Sequence, residues 1–330
     1  MGTLEEINDL EDQIQKLIDR KNQLIKEIGD EDRQMLADHS SSDIVREFHL
    51  VDKLKVDGDT VVVYQGVPGA YSHQAMHDYF GKDIKNINVA KFEGVVKAVK
   101  DGDADYGVLP IENSSAGFVN GIYDMVGSSG LTIVGGDEVK VAHMLMGLPD
   151  AEISDIKTVY SHPQGLMQCD RFLDTHKDWQ RISQANTALA AKMIFQEHNK
   201  THVAIASKEA AELYGLDILK TGITDQEGNT TRFVIVTNAR KFVKNAQKMS
   251  IVFETANEAG TLYNLLSHII YNGLNMNKIE SRPIEGNVEG KRWNFRFFVD
   301  FTGNIDDPRV MNALRGIEEE AESIKLLGNY

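Results

Sequence analysis

From residue 60 onward the chain alternates short apolar, β-branched runs with amphipathic helical stretches, and this rhythm constrains the fold more than any other feature. Apolar runs at 60–64, 86–90, 106–110, 132–135, 139–146, 158–161, 203–206 and 233–237 are expected to be strands. Helical periodicity falls at 73–80, 92–100, 118–126, 164–175, 187–197 and 207–213. Strands separated by helices of this length cannot be joined as hairpins. They pair through crossovers, which predicts an α/β fold with a mostly parallel sheet.

The pattern does not hold to either end. After a Lys- and Asn-containing linker at 241–248, the segments 250–254, 260–271, 276–282, 293–301, 308–320 and 323–328 read as βαββαβ, enough for one small ferredoxin-like domain. At the other end, Ile7, Leu10, Ile14, Leu17, Leu24 and Ile28 form a heptad seam broken only at Lys21. Such a seam suits helix pairing between chains. The expected domains are therefore a helical segment at 1–58, an α/β domain at 59–240 and a C-terminal domain at 248–330. At 330 residues the chain is long enough for several cores.

Bulk properties exclude several classes. A formal charge of −15 argues against a nucleic-acid partner, which needs clustered Lys and Arg. No apolar run approaches the ~18 residues of a membrane span. A single cysteine, Cys169, makes no intrachain disulfide and fits a reducing compartment, so a cytoplasmic location is expected. Ten histidines are scattered without metal-ligand spacing, and neither a metal nor a cofactor is expected.

Polar motifs cluster where strands hand over to helices or loops. Gly66-Val67-Pro68-Gly69-Ala70-Tyr71-Ser72 follows a strand and opens a helix, where free N–H groups attract anions. Ser72 reads equally as a plain N-cap. Glu112-Asn113-Ser114-Ser115 follows the apolar end Val108-Leu109-Pro110, and ligands of open α/β sheets sit at such carboxyl ends. Tyr160-Ser161-His162-Pro163-Gln164 joins another strand to a helix, with Gln168 one turn beyond Gln164. Thr231-Arg232-Phe233 lies at a loop-to-strand junction: a stiff hydroxyl donor, a planar cationic fork and an apolar ring. In the C-terminal part, Gly260-Thr261-Leu262-Tyr263 and Glu280-Ser281-Arg282-Pro283 flank a predicted helix and strand.

In this order and at these separations the motifs resemble prephenate dehydratase followed by an ACT regulatory domain. The resemblance implies a two-lobed catalytic domain like a type 2 periplasmic binding protein, with the ligand between the lobes. It implies loss of carbon dioxide and hydroxide from prephenate to give phenylpyruvate, with no cofactor. Thr231 would donate to the leaving oxygen, supported by Asn113, Ser161 and Gln168. Ser72, Ser114, Ser115, Arg232 and Phe233 would bind substrate. Such a donor works because it stabilises charge that develops only in the transition state. A titrating partner from His162 or Glu112 is left open.

The resemblance further implies feedback inhibition by L-phenylalanine at Gly260, Thr261, Leu262, Glu280, Ser281, Arg282 and Pro283, at paired subunits in a dimer or tetramer. Thr261 stands where the family usually has alanine. Three alternatives remain beside prephenate dehydratase. One is arogenate dehydratase; another is an amino-acid sensor without catalysis. The third is a bifunctional chorismate mutase/prephenate dehydratase, against which Leu4, Lys21 and Asp32 replace mutase cations.

Overall fold

The computed structural model describes residues 48–226, 228–284 and 295–330, together with Gln13, Lys16, Leu17, Arg20 and Gln23. Most of the heptad seam, and the positions Leu4, Lys21 and Asp32, lie outside the described residues. Leu17 is described, and is 70% exposed. The chain divides into two compact units: Lys55–Leu131 with Gly135–Asn238, and Met1–Leu54 with Thr132–Val134 and Ala239–Tyr330.

The described chain opens with β1 (His49–Val51) and enters the larger unit. There it runs β2 (Val61–Gln65), α1 (Tyr71–Phe80), β3 (Lys85–Val89), α2 (Phe92–Asp101), β4 (Tyr106–Asn113), β5 (Gly117–Phe118), α3 (Ile122–Ser129) and, from Gly135 onward, β6 (Thr132–Lys140). A second series follows: β7 (Met144–Gly147), β8 (Thr158–Ser161), α4 (Pro163–Met167), α5 (Asp170–Asp174), β9 (Gln180–Ser183), α6 (Thr187–Glu197), β10 (His202–Ala206), α7 (Lys208–Tyr214), β11 (Asp217–Lys220) and β12 (Thr230–Thr237).

These strands form two sheets. The first runs β3-β2-β4-β12, with β2 parallel to both neighbours and β12 antiparallel to β4. The second is five-stranded, β11-β7-β10-β8-β9. Its strands β8 and β10, parallel to each other, are buried on both faces, while β7 joins antiparallel to β10 and β11. Alternate residues of β10 serve different cores. Val203 and Ile205 pack with Val159, Cys169, Leu173 and Trp179. Ala204 and Ala206 pack with Ala188, Ala191 and Ile194 of α6. The chain crosses from the first sheet to the second at residues 141–143 and returns at 221–229. Val141 N donates to Asn229 O at 2.8 Å, tying the two crossings together.

Several local expectations change. One strand was expected over 139–146, but it breaks at the crossing, and β6 instead runs unbroken from Thr132 to Lys140. The helix expected over 164–175 is two short helices with Cys169 between them. The helix expected from Phe118 begins at Ile122, because Gly117 and Phe118 pair back on β4.

The other unit contains β13 (Lys241–Val243), which pairs in parallel with β1. Then come β14 (Lys248–Thr255), α8 (Thr261–Tyr271), β15 (Met276–Pro283), β16 (Phe295–Thr302), α9 (Pro308–Glu320) and β17 (Ser323–Asn329). The sheet order β15-β16-β14-β17 with antiparallel pairing throughout is the ferredoxin-like βαββαβ arrangement. Met249, Ile251 and Phe253 alternate along β14, as do Phe297, Val299 and Phe301 along β16, and both sets bury against Leu265, Ile269, Leu314 and Ile317 of the helices.

Candidate active site

A cavity of about 380 Å³ lies within the larger unit, lined from both sheets. That is near the lower end of the ~300–1,000 Å³ usual for small-molecule sites. Its wall includes Thr231 and Phe233 of β12, Pro110 and Asn113 of β4, Tyr71 and Ser72 of α1, and His143 on the first crossing. From the second sheet's side come His162, Gln164, Gly165, Gln168, Asn186 and Thr187.

A β-bulge sets the catalytic edge. Thr231 faces Asn113 and Arg232 faces Glu112, but Phe233 then faces Pro110, leaving Ile111 as the extra residue of β4. In a regular strand, residues three apart point to opposite faces. The inserted residue lets Pro110 and Asn113 share the cavity wall. On β12 the ordinary alternation puts Thr231 and Phe233 on the cavity side and Arg232 on the other.

Asn113 is the hub of this edge. Its Oδ1 accepts from the backbone N–H groups of Ser115 at 3.1 Å and Ala116 at 2.9 Å. Two backbone donors fix which end of the amide is oxygen. The Nδ2 group therefore donates to Thr231 Oγ1 at 2.9 Å and Asn229 Oδ1 at 2.8 Å. Because the Thr231 oxygen is already an acceptor here, its own proton is left for another partner.

Opposite lies a chain of hydrogen bonds through His143. Gln168 Oε1 can only accept, so His143 Nε2–H donates to it at 2.9 Å. Nδ1 is then the acceptor for the Tyr71 hydroxyl at 3.2 Å. Burial holds the His143 imidazole below its ordinary pKa, opposed by the Gln168 hydrogen bond and reinforced by His162. Burial also lowers His162. The His162 Nδ1 accepts the Gln164 N–H at 3.2 Å as an N-cap.

The expected site residues divide by placement. Thr231, Asn113, Gln168, Phe233 and Ser72 line the cavity. The Ser72 hydroxyl nevertheless donates to Gln65 O. Ser161 does not line it: the side chain is fully buried, and its hydroxyl donates to Ile205 O at 2.6 Å. Gly165 is required beside it, since a Cβ there would come within 2.7 Å of Ser161 Oγ.

Arg232 does not line the cavity either. It pairs with Glu112 at 3.1 Å and Glu138 at 3.0 Å on the opposite face, which also removes Glu112 as an acid in the site. Ser114 accepts from Thr230 N at 2.9 Å and Ser115 serves Asn113 through its backbone; neither side chain reaches the wall. Cys169 is buried, with its thiol pushed up to about 12 by burial and by Asp225.

His143, Tyr71, Asn186 and Thr187 were not foreseen as site residues. His143 stands on a crossing that reads in sequence as mid-strand. Asn186 carries a recognisable N-cap signal, its Oδ1 accepting from Leu189 N at 2.7 Å, but capping alone does not distinguish a cavity wall. In the C-terminal unit, Gly260 caps α8 at φ 90°, and Thr261 Oγ1 donates to Ala256 O at 2.9 Å. Glu280 and Arg282 form an ion pair at 2.6 Å, with the Glu280 side chain only 9% exposed. Ser281 and Pro283 occupy the exposed face of β15.

Residues 62–241 match the family described as prephenate dehydratase. The bifunctional chorismate mutase/prephenate dehydratase of Escherichia coli K12 is 33% identical over 276 residues, covering 82% of this chain and 70% of that protein. Among solved structures, the prephenate dehydratase of Arthrobacter aurescens in complex with L-Phe superposes with a TM-score of 0.74 at 27% identity, covering 82% of this chain and 89% of that one. GqqA, described as a novel type of quorum quenching acylase, gives 0.73 at 32% identity over 81% of this chain and 96% of that one. A match spanning more than half the sequence, and containing the whole edge built around Asn113 and Thr231, places this chain in the prephenate dehydratase family.

Proposed function

We propose that this protein converts prephenate to phenylpyruvate and that L-phenylalanine inhibits it. The observation that carries the reading is the Asn113–Thr231 pair on the cavity wall, which leaves the Thr231 proton to be donated. As the ring aromatises, carbon dioxide departs and the ring hydroxyl takes up negative charge. Thr231 O–H donates to that oxygen, and Asn113 keeps the hydroxyl from turning away. Among the described residues, no Asp, Glu, Lys or Arg lines the cavity. Substrate carboxylates are met instead by the first turns of α1 and α6, which supply Tyr71, Ser72, Asn186 and Thr187 to the wall. First-turn N–H groups lack intrahelical acceptors, and the positive end of the helix dipole favours anions.

Acylase chemistry, suggested by the description of GqqA, is less well served. It needs a nucleophile with a base beside it. The Cys169 thiol is buried, the Ser161 hydroxyl is committed to Ile205 O, and Thr231 receives an amide group instead of resting on a base. The Tyr71 hydroxyl does rest on His143, but burial pushes its pKa up and away from the nucleophilic form.

Two features of the C-terminal unit support control by phenylalanine. Glu280 Oε2 is buried without a hydrogen-bond partner among the described residues, which suits a donor from outside the chain such as an amino acid's ammonium. The surface also exposes Tyr263, Ile270 and Tyr271 of α8 and Ile279 of β15, as pairing with a second copy requires. The test is phenylpyruvate formation from prephenate and, separately, from arogenate, each with and without phenylalanine. Prephenate turnover depressed by phenylalanine supports the reading; turnover of arogenate alone reassigns the substrate.

A further inference from the structure

Beside the cavity wall, α1 and α7 bring together three side chains that the elimination does not use. His73 and His77 lie four residues apart on α1, so both imidazoles project from one helix face. Their rings are 4.0 Å apart and steeply inclined. Glu209 enters from the first turn of α7, in the half of the unit built on the second sheet. Its Oε1 is 3.0 Å from His73 Nδ1 and 2.9 Å from His77 Nδ1. All three donor atoms lie within 4.8 Å of one another.

His73 already accepts a backbone hydrogen bond. The Gly69 N–H donates to His73 Nδ1 at 3.2 Å, and coordination through that nitrogen would replace this bond. Freed from Gly69, the nitrogen faces the Glu209 oxygen 3.0 Å away. His77 aims a second imidazole nitrogen at the same oxygen.

We propose that His73, His77 and Glu209 bind a divalent transition-metal ion of the zinc type, clipping α1 to α7. Two imidazoles and one carboxylate are a zinc donor set, with a fourth position left for water. The Glu209 oxygen lies near 3 Å from each histidine nitrogen and all three donors fall within 4.8 Å, a spacing that bonds of ~2.0–2.2 Å to one ion can gather. The cluster is sheltered yet reachable: His73 is 9% exposed, His77 15% and Glu209 22%.

The ion would act on structure, not on the reacting bonds. Gly69, one turn before His73, receives the Ser207 hydroxyl on its carbonyl at 2.9 Å and packs against Ala210 of α7. The same turn leads to Ala70, Tyr71 and Ser72 on the cavity wall. A filled clip therefore fixes that wall against α7. This goes beyond the dehydratase reading, and its test does not depend on turnover.

The test uses the untagged full chain after chelator treatment. Co²⁺ binding is followed by its visible ligand-field absorption, and Zn²⁺ binding by competition with a chromophoric chelator. The wild type is expected to bind one ion saturably and to gain thermal stability from Zn²⁺. Glu209→Gln and His77→Gln should each weaken binding by more than ~100-fold, beyond the ~10–100-fold typical of losing an outer-sphere partner. His202→Gln, which removes the separate His202–Glu197 pair, should keep wild-type affinity. Absence of saturable binding by the wild type, or unchanged affinity in both ligand variants, overturns the proposal and leaves only a hydrogen-bonded contact.

Discussion

At the scale of single residues, what distinguishes the candidate donors is which hydroxyl still has a proton to give. Thr231 and Ser161 come from motifs of similar appearance, yet their surroundings oppose them. Ser161 donates to Ile205 O in the core, while Thr231 accepts from Asn113 on the cavity wall. Ser161→Ala is therefore expected to lower unfolding free energy by about 1 kcal/mol, the usual net worth of such a bond, and to leave kcat within a few-fold. Urea unfolding and steady-state kinetics on the same variant check both halves.

His143 makes a separate prediction. Its folded-state pKa is depressed by burial, so between the ordinary value near 6.5 and the lower folded one the unfolded chain binds more protons. The stabilising contribution is thus present above about 6.5 and is lost as pH falls towards the folded value. His143→Gln should flatten part of that acid-side loss in denaturant titrations compared at pH about 7.5 and about 5.5. An identical pH slope in the variant would show that other groups carry it.

At the scale of elements, the site depends on irregularities in otherwise regular strands and turns. Alternation of strands and helices is written in the sequence because burial repeats every two or about four residues, and so the α/β and βαββαβ patterns can be read from it. The bulge at Ile111 cannot: it is a property of the β4–β12 pairing, and without it Asn113 would face away. The same blindness explains Arg232. Sequence offers a guanidinium beside Thr231, but strand alternation turns it to Glu112 and Glu138. The crossing at 141–143 was hidden because Val139, Val141 and Leu145 continue an apolar run across it.

The turn before α1 is testable at this scale. Gly69 has φ +87°, and a Cβ there would lie 3.0 Å from the Ala210 Cα. Gly69→Ala is expected to cost more than about 1 kcal/mol, since both the backbone and the contact resist it. If wall position matters to substrate, KM should rise more than kcat falls. Equal stability of variant and wild type in urea would contradict this view of the turn.

At the scale of the whole molecule, the cavity and the proposed phenylalanine site belong to separate compact units. Inhibition requires that phenylalanine favour a less active state, because equal affinity for both states shifts nothing. Glu280 is the residue whose removal should uncouple them. Its side chain is nearly buried, it pairs with Arg282, and its second oxygen lacks a partner among the described residues. Glu280→Gln is expected to raise the phenylalanine concentration for half-inhibition by about tenfold, within the usual range of coupling between sites. Uninhibited turnover should be unchanged. Unaltered inhibition would move the effector site elsewhere.

The central claim is that one hydroxyl, held by Asn113, assists departure of the leaving oxygen. The measurement that reaches it most directly is kcat for phenylpyruvate formation from prephenate at neutral pH, comparing wild type, Thr231→Ser and Thr231→Val. Neutral pH suppresses the acid-driven aromatisation that needs no enzyme. Loss of roughly 10²–10³ in kcat for Thr231→Val, with much of it restored in Thr231→Ser and little change in KM, is the result predicted for a transition-state donor. A correctly folded Thr231→Val that keeps wild-type kcat would contradict the account.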